Sequence, residues 1–142
     1  MASGLHRDYA IKPGDRIGLA MRNRVEWFIA FFAIVRLGAI ATLLNSRGAA
    51  EELATTATHV GCSAVIADEE RSELLRGVLD CPVIGIADME RLSGDQDALP
   101  PPALTGLDPD DAVLIIFTSG TTGRPKGATL THRNLCAVAR EM

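Results

Sequence analysis

Residues Thr118 to Gly127 read TSGTTGRPKG and directly follow the apolar run Ala112-Val113-Leu114-Ile115-Ile116-Phe117. Four hydroxyl side chains, three glycines and two cations in ten positions suit a loop that grips a polyanion. Small residues let backbone N–H groups converge on a cluster of oxygens. Ser119, Thr121 and Thr122 offer hydroxyl donors, with backbone donors beside them near Gly120 and Gly123. Lys126 adds a point charge able to offset charge developing on a departing phosphate. The expected ligand is a nucleotide polyphosphate.

Two better-known glycine loops are excluded. A Walker-type loop needs Gly-Lys-Ser/Thr four residues after a glycine, and here the order is Pro125-Lys126-Gly127 with no Gly-Lys pair in the chain. The dinucleotide pattern GxGxxG is also absent. Against the plain reading of a Ser/Thr/Gly run as a solvated surface loop stand the fixed Pro-Lys-Gly ending and the strand before it. Arg124 is read as solvent-exposed, and so is Arg133. His132 falls in the first turn of a predicted helix, where capping or packing serves as well as base catalysis, and it has no evident Ser/Asp partners.

The elements that must position this loop alternate along the chain. Asp15 to Met21 reads as a strand after Pro13-Gly14, and Asn23 is a candidate N-cap with Glu26 three residues on. The helix that follows should end before Gly38. Its apolar residues, from Trp27 to Leu37, occupy almost every side, which predicts a helix covered by other layers, with Trp27 and the phenylalanines in core packing. Ile40 to Leu44 is the next strand and Glu51 to Val60 the next helix, its glutamates at the positive end of the dipole. Ser63 to Ala67, Glu69 to Leu79 and Pro82 to Ile86 continue as strand, helix and strand. Short apolar strands alternating with helices predict an α/β fold with a mostly parallel sheet flanked by helices.

Three regions result: βα repeats over residues 1–87, an exposed linker over 88–111 that contains Pro100-Pro101-Pro102, and the strand, phosphate loop and helix start over 112–142. Ala128-Thr129-Leu130 is read as a short segment joining the loop to a last helix N-capped by Thr131.

Composition narrows the function class. A chain of 142 residues with 47% apolar content can bury one core. Its net charge of −4, with both signs scattered, lacks the basic footprint of a nucleic-acid binder. Cys62, Cys81 and Cys136 are odd in number and widely spaced, against both a disulfide framework and a zinc site, which predicts a reduced, cytoplasmic setting. Residues 1–9 have no signal-peptide core, and Glu26, Arg36 and Gly38 interrupt the most apolar stretch, against a membrane span.

TSGTTGRPKG resembles the signature loop of the adenylate-forming superfamily: acyl-CoA synthetases, aryl-CoA ligases, luciferases and nonribosomal peptide adenylation domains. Pro13-Gly14-Asp15-Arg16, Leu37-Gly38-Ala39, Leu44-Asn45, Glu51-Glu52-Leu53 and Leu130-Thr131-His132-Arg133-Asn134-Leu135 resemble further landmarks in the same order, so the likeness covers nearly the whole chain. The resemblance implies a partial N-terminal subdomain of an adenylate-forming enzyme. It implies that Thr118, Ser119, Gly120, Thr121, Thr122, Gly123, Pro125, Lys126 and Gly127 hold the β- and γ-phosphates of ATP, with Lys126 in the catalytic role and Thr118 a ligand of the accompanying Mg2+. A carboxylic acid attacks the α-phosphate, pyrophosphate leaves, and CoA then takes the acyl group. Gly-Thr-Thr-Gly tilts the reading toward fatty or aryl acid:CoA ligases, with peptide-synthetase or luciferase-like parents as the alternative.

Other landmarks of that family cannot be assigned: the aromatic-Gly-x-Thr-Glu and Thr-Gly-Asp segments, the hinge, and a C-terminal lysine. A chain cut at both ends is the expectation, needing the C-terminal part of the enzyme as its partner and inactive by itself. A noncatalytic anion- or nucleotide-binding fragment is the rival from another class. Gly48-Ala49-Ala50 replaces the Thr-Pro helix start common in the family, removing a cap worth about 1 kcal/mol.

Overall fold

The computed structural model describes residues 1–94, 101, 104–118 and 126–141. The calls on Ser119 to Pro125, Arg124 among them, and on Pro100 and Pro102 lie outside these residues. The elements run α1 (Ala2–Tyr9), β1 (Arg16–Ala20), α2 (Val25–Arg36), β2 (Ile40–Leu43), α3 (Ala50–His59), β3 (Cys62–Ala67), α4 (Glu69–Leu75), β4 (Val83–Ile84), α5 (Ile86–Gly94), β5 (Ala112–Thr118), β6 (Lys126–Thr131) and α6 (His132–Glu141). One sheet holds all six strands in the order β4-β3-β1-β2-β5-β6. Every pair is parallel except β5 with β6.

Alternate side chains of the central strands feed two cores. Ile17 and Leu19 of β1 with Ala64 and Ile66 of β3 face α1, α2 and α5. Ala20 of β1 with Val65 and Ala67 of β3 face α3 and α4. The step from β1 to β2 runs in the opposite lateral direction to the step from β2 to β3. Right-handed crossovers then place α2 and α3 on opposite faces of the sheet. The strands enclosed between these layers therefore had to be apolar at most positions, as β1 to β5 are.

Several local expectations change. Asn23 does not cap α2: the N-cap is Arg24, without a side-chain cap bond. Its guanidinium instead holds Glu26 at 2.8 Å and Glu69 at 2.7 Å. The end of α2 is as expected, for Gly38 takes φ +67, a left-handed conformation that favours glycine. The N-cap of α3 is Ala49 and makes no side-chain cap bond, as the missing Thr-Pro start implies.

The expected linker from residue 88 does not begin there. Residues 86–94 form α5, with Met89 and Leu92 buried against Leu5 of α1 in the same core. Ala128-Thr129-Leu130 is not a joining segment but part of β6, paired antiparallel to β5. Among the described residues no helix is long and apolar enough to cross a membrane.

The reading of α2 as covered on all sides is also corrected. Trp27 and Phe31 stack with centroids 5.3 Å apart and pack against the core. Val25, Phe28, Ile29 and Phe32 are exposed, by 59% at Phe28 and 64% at Phe32. Their i, i+3, i+4, i+7 spacing makes them one continuous face of the helix.

Candidate functional site

Parallel strands β1 to β5 bring their carboxyl ends to one edge of the sheet, and ligands of open α/β sheets gather at such an edge. The crevice usually used lies where the crossover direction reverses, which here is between β1 and β3. It is filled. Asp68, directly after β3, is 4% exposed and accepts bonds from Arg22 N–H at 3.0 Å and Arg71 N–H at 3.1 Å. The Arg71 guanidinium lies at 3.3 Å from the same carboxylate and donates to Ser46 O at 2.7 Å. Burial pushes the Asp68 carboxyl up, and the bonds from Arg71 and Arg22 with the Arg71 charge outweigh it, leaving the acid below its ordinary value. A buried carboxylate whose donors are all internal is a structural lock.

Thr118 and Lys126, from the run singled out by sequence, stand elsewhere on this edge. From β3 across β1 and β2 to β5 are three strand spacings, ~14 Å at ~4.8 Å each. Thr118 ends β5 and Lys126 begins β6, and the antiparallel register sets them directly opposite each other. Thr118 Oγ1 donates to Lys126 O at 3.4 Å. Both side chains are exposed, so the ammonium is free to meet a ligand and the Thr118 oxygen keeps its lone pairs. Residues 119–125 connect these two points.

Gly127 is opposite Phe117. A Cβ at Gly127 would stand 3.1 Å from Ile115 Cγ2 and 3.3 Å from Phe117 Cε1, so the strands approach as closely as they do because this residue has no side chain. Thr118, Lys126 and Gly127 are thus brought together. Ser119, Gly120, Thr121, Thr122, Gly123 and Pro125, predicted for the same site, lie outside the described residues.

Sequence reading missed two further edge cations. Arg22 follows β1 and Arg47 follows β2, the strand beside β5, and both side chains are exposed at this edge. An arginine in the loop directly after a strand was the available signal. His132 is set apart: it opens α6 at the opposite end of β6, six residues from Lys126, ~20 Å along a strand. Its N–H donates to Asp111 O at 3.2 Å. Arg133, read as solvated, holds Asp110 in an ion pair at 2.6 Å.

The thiols add no chemistry near this site. Burial pushes Cys62 up to about 12, with the Cys81 thiol adding to the effect, and burial raises Cys81 too. Both stay protonated at neutral pH and serve as packing. Among the described residues no group of three His, Cys, Asp or Glu side chains is placed to hold a metal ion.

Comparison with known proteins identifies the family. The family profile described as AMP-binding enzyme matches residues 1–142. The feruloyl-CoA synthase of Amycolatopsis is 35% identical over 135 residues, covering 95% of this chain and 26% of that protein. The medium/long-chain-fatty-acid–CoA ligase of Mycobacterium tuberculosis is 33% identical over 131 residues, covering 86% and 21%. The crystal structure of a long-chain-fatty-acid-CoA ligase from Archaeoglobus fulgidus superposes with a TM-score of 0.85 at 26% identity, over 99% of this chain and 29% of that one. The chain spans about a quarter of the length of these relatives. With the profile matched from end to end, the chain belongs to the AMP-binding enzyme family, whose members similar to it are acyl-CoA and aryl-CoA ligases.

Proposed function

We propose that this chain supplies the polyphosphate-holding part of an ATP-dependent acid:CoA ligase that forms AMP, with a fatty acid as substrate. The carrying observation is the convergence of Thr118 and Lys126 at the carboxyl edge, flanking the hydroxyl- and glycine-rich residues 119–125. A carboxylate oxygen of the acid bonds to the α-phosphorus while the bond to the β-phosphate bridge breaks, and pyrophosphate leaves with the electron pair. Lys126 compensates the charge that grows on the leaving group, an interaction stronger in the transition state than before it. The CoA sulfur then attacks the acyl carbon of the adenylate, and AMP departs. Bound Mg2+ would offset charge on the triphosphate, and Thr118 would offer it one hydroxyl ligand, in keeping with a cation that takes few protein ligands beside phosphates. A cytoplasmic setting fits protonated, unpaired thiols and a soluble nucleotide substrate.

The test supplies a parent protein containing this chain with ATP, CoA and a panel of aliphatic and aromatic acids. Acid-dependent pyrophosphate release is expected, greatest with fatty acids. Removing the charge by Lys126→Ala should lower it by about 100-fold or more. No acid-dependent release sinks the ligase reading, and release with aryl acids alone sinks the fatty-acid part. For residues 1–142 alone we expect no turnover, and acid- and CoA-dependent AMP formation by the purified chain would overturn that.

A further inference from the structure

Most residues of β6 bury little surface that could hold its register. Lys126, Gly127, Ala128 and Thr129 are exposed, and Leu130 and Thr131 are half-buried. Leu130, packed against the core, and Gly127, where a Cβ would crowd Ile115 and Phe117, resist a slip by one residue, which would turn every side chain to the other face of the sheet. The exposed Ala128 and Thr129 between them add little. A further anchor lies at the far end of the hairpin, where Ala112 opposes Thr131.

That end is tied several times. The first-turn amides of α6 have no partner within their own helix. Here His132 N–H donates to Asp111 O at 3.2 Å and Arg133 N–H to Pro109 O at 2.8 Å. Thr131 and Asn134 form a reciprocal cap: Thr131 N–H donates to Asn134 Oδ1 at 3.0 Å, and Asn134 N–H to Thr131 Oγ1 at 3.3 Å. The Arg133 guanidinium forks onto Asp110, Nε to Oδ1 at 2.6 Å and Nη2 to Oδ2 at 3.0 Å. The receiving turn is closed on itself, with Asp108 N–H donating to Asp111 Oδ2 at 2.8 Å and Asp110 N–H to Asp108 Oδ1 at 2.8 Å. Arg133 holds the Asp110 carboxyl below its ordinary value, so the pair is ionised at neutral pH.

We propose that Arg133, through its forked bond to Asp110, is a positioning residue that locks the β5–β6 register and thereby sets where Lys126 stands at the other end of the hairpin. The consequence for nucleotide binding rests on the phosphate-site reading above; the consequence for strand register does not. Arg133 and Asp110 are both exposed, so losing the bond leaves the global fold nearly as stable. Arg133→Lys keeps the charge but not the planar fork.

Amide hydrogen exchange on the 142-residue chain reads the lock directly. Arg133→Ala and Arg133→Lys should each speed exchange over 126–131 by about three- to tenfold while β1 and β3 stay protected. The exchanged pair Asp110→Arg with Arg133→Asp should recover part of the protection. In an active parent protein, Arg133→Ala should raise KM for ATP about three- to tenfold with KM for the acid unchanged. Unchanged exchange over 126–131 in Arg133→Ala, or no recovery in the exchanged pair, overturns the lock. Faster exchange with KM for ATP unmoved overturns the link to Lys126. A parent protein without ATP-dependent activity counts against the phosphate-site reading, and exchange alone then decides the lock.

Discussion

Gly127 shows how much one missing side chain decides at this site. Its position opposite Phe117 leaves 3.1 Å to Ile115 Cγ2, a gap that a methyl group cannot enter without displacement. Ile115 is buried and has little room to give, and the other contact, Phe117, is half-buried and adjoins Thr118, so part of the shift passes to the residue opposite Lys126. Gly127→Ala should cost about 1 kcal/mol in the stability of the chain by overpacking. It should also lower acid-dependent pyrophosphate release in a parent protein. Denaturant unfolding and the release assay check both, and a variant with wild-type activity would show that the Phe117–Gly127 spacing does not govern the site. Lys126 and Gly127 were legible as residue types in a run. That Gly127 is needed because of Phe117, ten residues back and across a hairpin, was not, since only strand pairing creates that contact.

At the scale of elements, local signals were read well where the interaction is local. Thr131 caps α6 as expected, because the cap partner is three residues away. Asn23 failed as a cap because Arg24 is drawn into an ion pair with Glu69, 45 positions on. α5 was missed although Ile86, Met89 and Leu92 carry a helical spacing, for its acidic and Gly-bearing texture resembled a linker. β6 had no alternating pattern to find; its strand state comes from pairing with β5. The Asp68 lock, which joins the ends of β1 and β3 to α4, gives a prediction with a definite sign. The folded carboxyl lies below its ordinary value of about 3.9, so below that pH the unfolded chain binds the proton more readily. The stabilisation is complete above pH 4 or so and is lost as pH falls through the lower folded value. Asp68→Asn should flatten the acid limb of the stability curve and cost about 2 kcal/mol at neutral pH by weakening the partners of Arg71. An unchanged acid limb in urea melts at pH 3 and pH 7 would remove Asp68 from this role.

Over the whole molecule, the unshared surface is the outer face of α2. Val25, Phe28, Ile29 and Phe32 are exposed side by side, an arrangement that promotes self-association of a chain on its own. Phe28→Ser with Phe32→Ser in the 142-residue chain should reduce concentration-dependent light scattering and leave stability within about 0.5 kcal/mol, as expected for exposed sites. A loss of more than about 1.5 kcal/mol would mean these rings are buried in solution.

The sequence by itself determined the family and the α/β alternation, because strands buried on both faces must be apolar throughout, and it singled out residues 118–127 as a contiguous run suited to a polyanion. Only the tertiary structure decided that Asp68 and Arg71 close the crevice at the reversal point while the hairpin of β5 and β6 sets Thr118 and Lys126 to the side. It also decided that Thr118 and Lys126 are opposite each other and that Arg133 meets Asp110 at the far end. Those facts depend on register, and register in an exposed strand of small residues is set by distant contacts that no local pattern encodes.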